Sequence, residues 1–255
     1  MGGQGTTALT RHPPGHYLWA PPTPSCAISF EFLLVAPVLL FSMVAHEFAH
    51  AEAAYRQGDN TAYMLGRLTL NPLKHIDPFM TVLVPAMLWW ASNGAFTFGA
   101  AKPVPVNPRN YRRYVRGDII VSLAGIATNL ALFVSCVVLF AAAGLIGRLV
   151  PVLTDELALF QRMLSWGMWI NLLLGFFNLL PIPPLDGSHV FKHLLPLQAG
   201  LRYRQLYRLG FVPVLLLVYL VPSARSVYLW PTVKLMMAAR SLLGGLAVSP
   251  GAFPL

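Results

Sequence analysis

The sequence predicts an all-α polytopic membrane protein: about five spanning helices, a re-entrant or short sixth element, and a small β-like segment near a functional site. Three observations point there. The 255-residue chain is 56% apolar and only 11% charged, against about 25% charged in an ordinary soluble domain. Its mean hydropathy is +0.61. Its polar connections reach about 25 residues at most, too short to fold as a separate soluble domain.

The formal charge of +9 raises nucleic acid as a partner. The basic residues, however, flank apolar runs (Arg109, Arg112, Arg113 and Arg116; Arg202, Arg204 and Arg208), where topology signals belong. The lipid bilayer is therefore the expected partner, and nucleic acid is not. Cys26 and Cys136 lack the spacing of a CxxC or zinc-finger pair.

Residues 1–27, rich in Pro, Gly and Thr, read as a disordered tail without a signal peptide's basic start. Residues 28–200 form the membrane core, and 201–255 the C-terminal membrane helices. The first helix is expected over 28–55, closed by Arg56 and Gly58. Alternation across 63–70 suits a short strand or hairpin. Residues 78–90 are apolar but short, and Pro85 interrupts them. Residues 96–110 contain Pro103, Pro105 and Pro108 and read as an extended edge segment. Further helices are expected over 118–147, 160–180, 185–195, 206–221 and 227–248, with the prolines at 181, 183 and 184 breaking the chain between the second and third.

Charge adds the topology. The loops 56–77 and 94–117 are both basic, so both belong on the cytoplasmic side. That holds only if 78–93 enters and leaves by the same face, as a re-entrant element would.

Chemistry concentrates in His46-Glu47-Phe48-Ala49-His50, within the first apolar helix. Residues four apart share a helix face, so both imidazoles can reach one metal ion, with Glu47 placed to touch a water there. With 7 His in the chain, this pattern arises by chance only about 0.003 times. Ionisable groups at membrane depth mark function by default. A catalytic zinc, one per chain, commonly has three protein ligands. Asp186 is the best third candidate: it follows proline-broken helix, and its six-residue distance to Lys192 equals that of His50 to Arg56. Its alternative role is to cap the following helix. His189 and His193, beside Lys192, read as an interfacial helix face more readily than a second metal pair. His75 and Asp77 divide between gating groups and helix-entry polar residues.

The HExxH motif, the downstream Asn178…Leu185-Asp186-Gly187 and Gly125-Ile126-Ala127-Thr128-Asn129 together resemble the site-2 proteases, intramembrane zinc metalloproteases. Gly66 to Pro78 and Ala101 to Arg109 are similar to the small prokaryotic-type subgroup without PDZ or CBS domains. The resemblance covers about residues 30–200. It implies zinc held by His46, His50 and Asp186, Glu47 as general base, Asn129 and Asn178 lining the site toward substrate or oxyanion, and transmembrane protein substrates. It further implies a prokaryotic cell (inner) membrane with the site toward the cytoplasm. Ile126 and Thr128 depart from the family's usual Pro and Ala, while Gly125 and Asn129 keep their spacing. Val104 and Val106, between the prolines, keep amide donors that a substrate strand could use. The rival readings are a zinc transporter using the same ligands and an inactive protease-like scaffold.

Overall fold

A computed structural model describes residues 30–91, 102–220 and 222–253. The expected tail and part of the edge segment therefore lie outside the described residues. The described chain is helical, and no strand occurs in it. Its helices are α1 (Phe30–Gln57), α2 (Thr61–Met64), α3 (Val84–Ala91), α4 (Tyr114–Leu149), α5 (Thr154–Asn178), α6 (Asp186–Phe191), α7 (Leu197–Gln205), α8 (Val212–Leu220) and α9 (Pro222–Leu243).

α4 packs against both α1 and α5, α1 also meets α5, and α5 continues onto α9. By length and composition, Glu31–Gln57 and Tyr114–Leu149 are each apolar enough to cross a membrane. Their outward faces are greasy: Leu33 and Phe41 on α1, and Val134, Val138 and Leu145 on α4, are exposed. Apolar side chains turned outward along long helices are what a lipid solvent favours.

Three local expectations are corrected. The alternating stretch 63–70 begins as α2 and then turns, with Leu65 N–H donating to Thr61 O and Arg67 N–H to Ala62 O. A strand needs a ladder partner, and here the backbone finds local ones instead. Pro85 does not break its element: a π-helical turn over Pro78–Leu83 hands over to α3 at Val84. Pro85 is the second residue of α3, directly after that turn, where the helical hydrogen-bond pattern changes. Finally, α8 starts at Val212, because Gly210 turns the chain with φ +54°.

The first helix ends as the sequence indicates. Gly58 has φ +108°, a left-handed conformation natural to glycine, and its N–H closes on Tyr55 O. Asp59 follows, buried, and gathers the region beyond the helix. It accepts from Thr61 Oγ1 (2.5 Å), Asn107 N–H (2.6 Å) and Asn110 Nδ2 (2.8 Å). Burial alone would raise this carboxyl, yet the donors from Asn107, Thr61 and Asn110 outweigh it and hold it below the usual range. Asp59 thereby ties one end of the irregular strap 102–107 to the end of α1. At the other end, Lys102 N–H donates to His75 O at 2.8 Å.

Candidate metal centre

The helical spacing of His46 and His50 places both rings on the face of α1 turned toward α4, their centroids 4.6 Å apart. Asp186 is the first residue of α6, brought in by the proline-rich turn after α5. The N-cap of α6 is Leu185, without a side-chain cap bond, so the Asp186 carboxylate is not spent on the helix. It turns to the imidazoles instead: Oδ2 lies 3.1 Å from His46 Nε2 and 3.2 Å from His50 Nε2. The two Nε2 atoms are themselves 3.0 Å apart.

Hydrogen bonds on the far side of each ring say what this triangle is. His50 Nδ1 lies 2.7 Å from the Val121 carbonyl, which only accepts, so Nδ1 carries the proton. For His46 the assignment runs through three side chains. Asn171 Nδ2 donates to Gly167 O and to Ser42 Oγ, which leaves its Oδ1 to accept from Asn129 Nδ2. Asn129 Oδ1 must then accept from His46 Nδ1, at 2.7 Å. Both Nε2 atoms therefore present lone pairs to each other and to a carboxylate oxygen.

Asp186 Oδ2 is buried and has no hydrogen-bond partner. Three acceptors at such distances repel one another unless a cation lies between them. A tetrahedral zinc with ligands near 2.0–2.1 Å keeps those ligands about 3.3 Å apart, close to the triangle seen. These three residues are also the His/Asp cluster, among the described residues, whose donor atoms converge enough to hold a metal.

The site requires a glycine. A Cβ on Gly125 would stand 2.5 Å from His46 Cε1 and 2.6 Å from His50 Nε2, so any side chain there would strike both rings. The family resemblance singled out this glycine, and the geometry supplies its physical reason.

Glu47 lies beside the triangle and lines the same cleft as Asp77, Lys102, Val106, Asn178 and Asp186. Its Oε2 accepts the Val104 N–H at 2.7 Å. The strap's Val104 donor, expected to be free for a substrate, is therefore taken up by Glu47. Val106, half-buried against Ala54, Tyr111 and Val121, makes no amide hydrogen bond to the described residues. Asn178 reaches the cleft, with Nδ2 bonded to Leu174 O of its own helix. Asn129 is buried with its amide committed to His46 and Asn171. His75 is buried too: its Nε2 meets Thr69 O at 2.8 Å, while its carbonyl anchors the strap.

Sequence reasoning missed Asn171 and Ser42 as supports of His46, and Asp118 altogether. His189 and His193, expected on an interfacial helix face, turn inward together with Lys192. They converge on the buried Asp118 carboxylate from α6 and the turn that follows it. A lone acid near the end of an apolar helix, with three basic residues on one face of a nearby segment, was the available signal.

A family model for peptidase family M50 matches residues 34–220. The chain belongs to peptidase family M50. This is the site-2 protease family, and no PDZ or CBS domain occurs among the described residues. Its M50 relatives include YwhC of Bacillus subtilis, named as a zinc metalloprotease, 38% identical over 78% of this chain and 84% of that protein. Rip2 of Mycobacterium tuberculosis, named likewise, is 33% identical over 75% of this chain and 68% of its own length. Rip2 of Mycolicibacterium smegmatis is 34% identical over 65% and 59%. No solved structure gives a significant match. As an M50 member the protein is a zinc metalloprotease of the membrane.

Proposed function

We propose that this metalloprotease cuts peptide bonds of transmembrane protein substrates within the bilayer, near its cytoplasmic side. One observation carries the reading: two imidazole lone pairs and an orphaned carboxylate oxygen converge beside Glu47 in an open cleft. His46, His50 and Asp186 would hold the zinc. A bound zinc supplies Lewis acidity there, polarising the scissile carbonyl and acidifying a water.

The chain's own residues do the rest. Glu47 takes the proton of the attacking water through Oε1, because its Oε2 is fixed by Val104 N–H. Asn129 keeps His46 in the tautomer that offers Nε2 inward. An oxyanion role for Asn129 would need its amide to exchange partners during the reaction, whereas Asn178 already lines the cleft. A helical substrate hides its carbonyls, so it must unwind before attack. The strap offers it a border, with the Val106 amide as the open donor. α5 and α9 join α1 and α4 as spans in this reading, while the nine residues of α8 are too short to cross alone. The 14 residues of Pro78–Ala91 rise only about 21 Å, short of a bilayer core and consistent with re-entry. Basic loops on both sides of that element favour a cytoplasmic site in a prokaryotic inner membrane.

The test is zinc content and cleavage of a transmembrane peptide by purified wild type and Glu47→Gln. Wild type should bind zinc and cleave; Glu47→Gln should keep the zinc and lose at least about 100-fold in rate, as loss of a general base does. Cleavage by Glu47→Gln at the wild-type rate would sink the assignment of the base. Zinc moved across vesicles by a non-cleaving wild type would favour transport, and zinc held with neither activity a scaffold.

A further inference from the structure

α6 is six residues long. Helices that short do not hold themselves in water or in protein without outside anchors. Yet its first residue, Asp186, must be placed to a fraction of an ångström against the two histidines of α1. What anchors α6 is Asp118, one buried carboxylate near the start of α4.

Lys192 Nζ lies 2.7 Å from Asp118 Oδ2 and 3.1 Å from His189 Nδ1, and His193 Nε2 donates to the same Oδ2 at 2.6 Å. His189 Nδ1 stands 3.3 Å from Oδ1. The rings are boxed in as well: Tyr114 meets His193 edge-on with centroids at 5.7 Å, and Tyr207 meets His189 at 5.2 Å. Asp118, His189 and His193 do not read as a second metal pocket, because the Lys192 ammonium already occupies the carboxylate that would be shared.

The position of Asp118 on α4 gives the clasp its meaning. Val121 O orients His50, Gly125 admits both rings and Asn129 orients His46. Asp118, Val121, Gly125 and Asn129 follow at helical spacing, so one stripe of α4 addresses every element of the metal triangle. Three of those positions act on the histidines. Asp118 is the one that reaches the element carrying the carboxylate.

We infer that Asp118 is a positioning residue for the metal centre, fixing Asp186 against His46 and His50 by clasping the far end of α6. The inference rests on the ligand assignment proposed above. The experiment is a double-mutant cycle on the full chain in detergent, titrated with cobalt(II), whose visible spectrum reports its coordination. Asp118→Asn should weaken cobalt binding roughly 10–100-fold, as loss of an outer-shell partner does, and alter the spectrum of the bound ion. In an Asp186→Ala background the same substitution should change cobalt affinity less than about 2-fold, because the group it positions is gone. Unchanged affinity and spectrum in folded Asp118→Asn overturn the inference. So does an equal loss in both backgrounds, which would mark general destabilisation. Should Asp118→Asn fail to fold, Lys192→Met replaces it, with a smaller loss of affinity that again vanishes beside Asp186→Ala; a loss that persists there overturns the inference. A wild type that binds no cobalt overturns the ligand assignment and this inference together, whereas a binding wild type matched by Asp118→Asn removes only the inference.

Discussion

The two ends of the α4–α5 pair are built from the same helices and do opposite things with polar groups. Toward one end, Asp118, Ser122 and Asn129 of α4 and Asn171 of α5 are buried around the metal triangle. Toward the other, Phe140, Leu164 and Met168 pack with Met236, Ala239, Leu243 and Ala252 into an apolar cluster. That apolar end also buries Gln161 and Ser165. Gln161 donates to Phe140 O and Leu246 O and accepts from Val248 N–H, while Ser165 donates to Ala252 O. There, buried polar atoms staple the segment after α9 to the bundle and finish satisfied. Around the metal triangle, Asp186 Oδ2, Tyr111 OH and His75 Nδ1 are left without hydrogen-bond partners; Arg162 Nε is the corresponding atom at the apolar end. An unsatisfied buried group costs about 1–3 kcal/mol, and for Asp186 Oδ2 a cation held between the three acceptors would offset that cost. The contrast separates stability from chemistry along one helix pair.

The sharpest way to break that separation is Gly125→Ala. Its methyl would enter both imidazoles at 2.5–2.6 Å, leaving the apolar end untouched. Metal affinity should fall by at least about 100-fold, the upper range for disturbing ligand orientation. Zinc analysis of purified protein decides it, and a full zinc complement would show that the rings can move aside. Phe140→Ala is the mirror experiment. It removes a fully buried ring whose centroid lies 4.8 Å from that of Phe253, the two planes tilted by 32°. We expect about 3–5 kcal/mol of lost stability, read as a lower melting temperature in detergent, with zinc affinity unchanged in the folded fraction. A parallel loss of zinc affinity would mean that the two ends are coupled. The smallest effect belongs to Val104→Pro, which deletes the N–H held by Glu47. A hydrogen bond to a charged group is worth about 1.5–3 kcal/mol, so cleavage should slow by roughly 10- to 150-fold at constant zinc content. An unaltered rate would free Glu47 from any dependence on the strap.

How much of this was readable beforehand follows the same division. The convergence of His46, His50 and Asp186 beside Glu47 was legible because its signals are local: a four-residue helical spacing, and an acid set after a proline break. The long apolar helices were legible from composition, to within a few residues at either end. α5 was legible as a helix, and Asn171 as a group able to bond between helices, but nothing along the chain named its partner Ser42 or those of the buried Gln161. Val104 to Glu47 and His193 to Asp118 join residues 57 and 75 positions apart, and no periodicity along the chain records such pairings. The strand expected near 63–70 failed for the converse reason. Alternation is a local signal, and a sheet additionally needs a partner that the described chain does not supply.

The length of α4 carries a consequence of its own. Its 36 residues make a rod of about 54 Å, against a hydrocarbon layer of roughly 30 Å. Even tilted by 40°, the steep end of the usual range, it would extend about 41 Å along the bilayer normal. The helix must overhang the apolar layer, or the layer must thicken around it. Because Asp118, Val121, Gly125 and Asn129 all ride on this rod, a change in bilayer thickness that tilts α4 is expected to reach the metal site, as zinc affinity measured across lipids of different acyl-chain length would show. The lipid chosen for reconstitution is therefore an experimental variable of the site, as pH is for a soluble hydrolase.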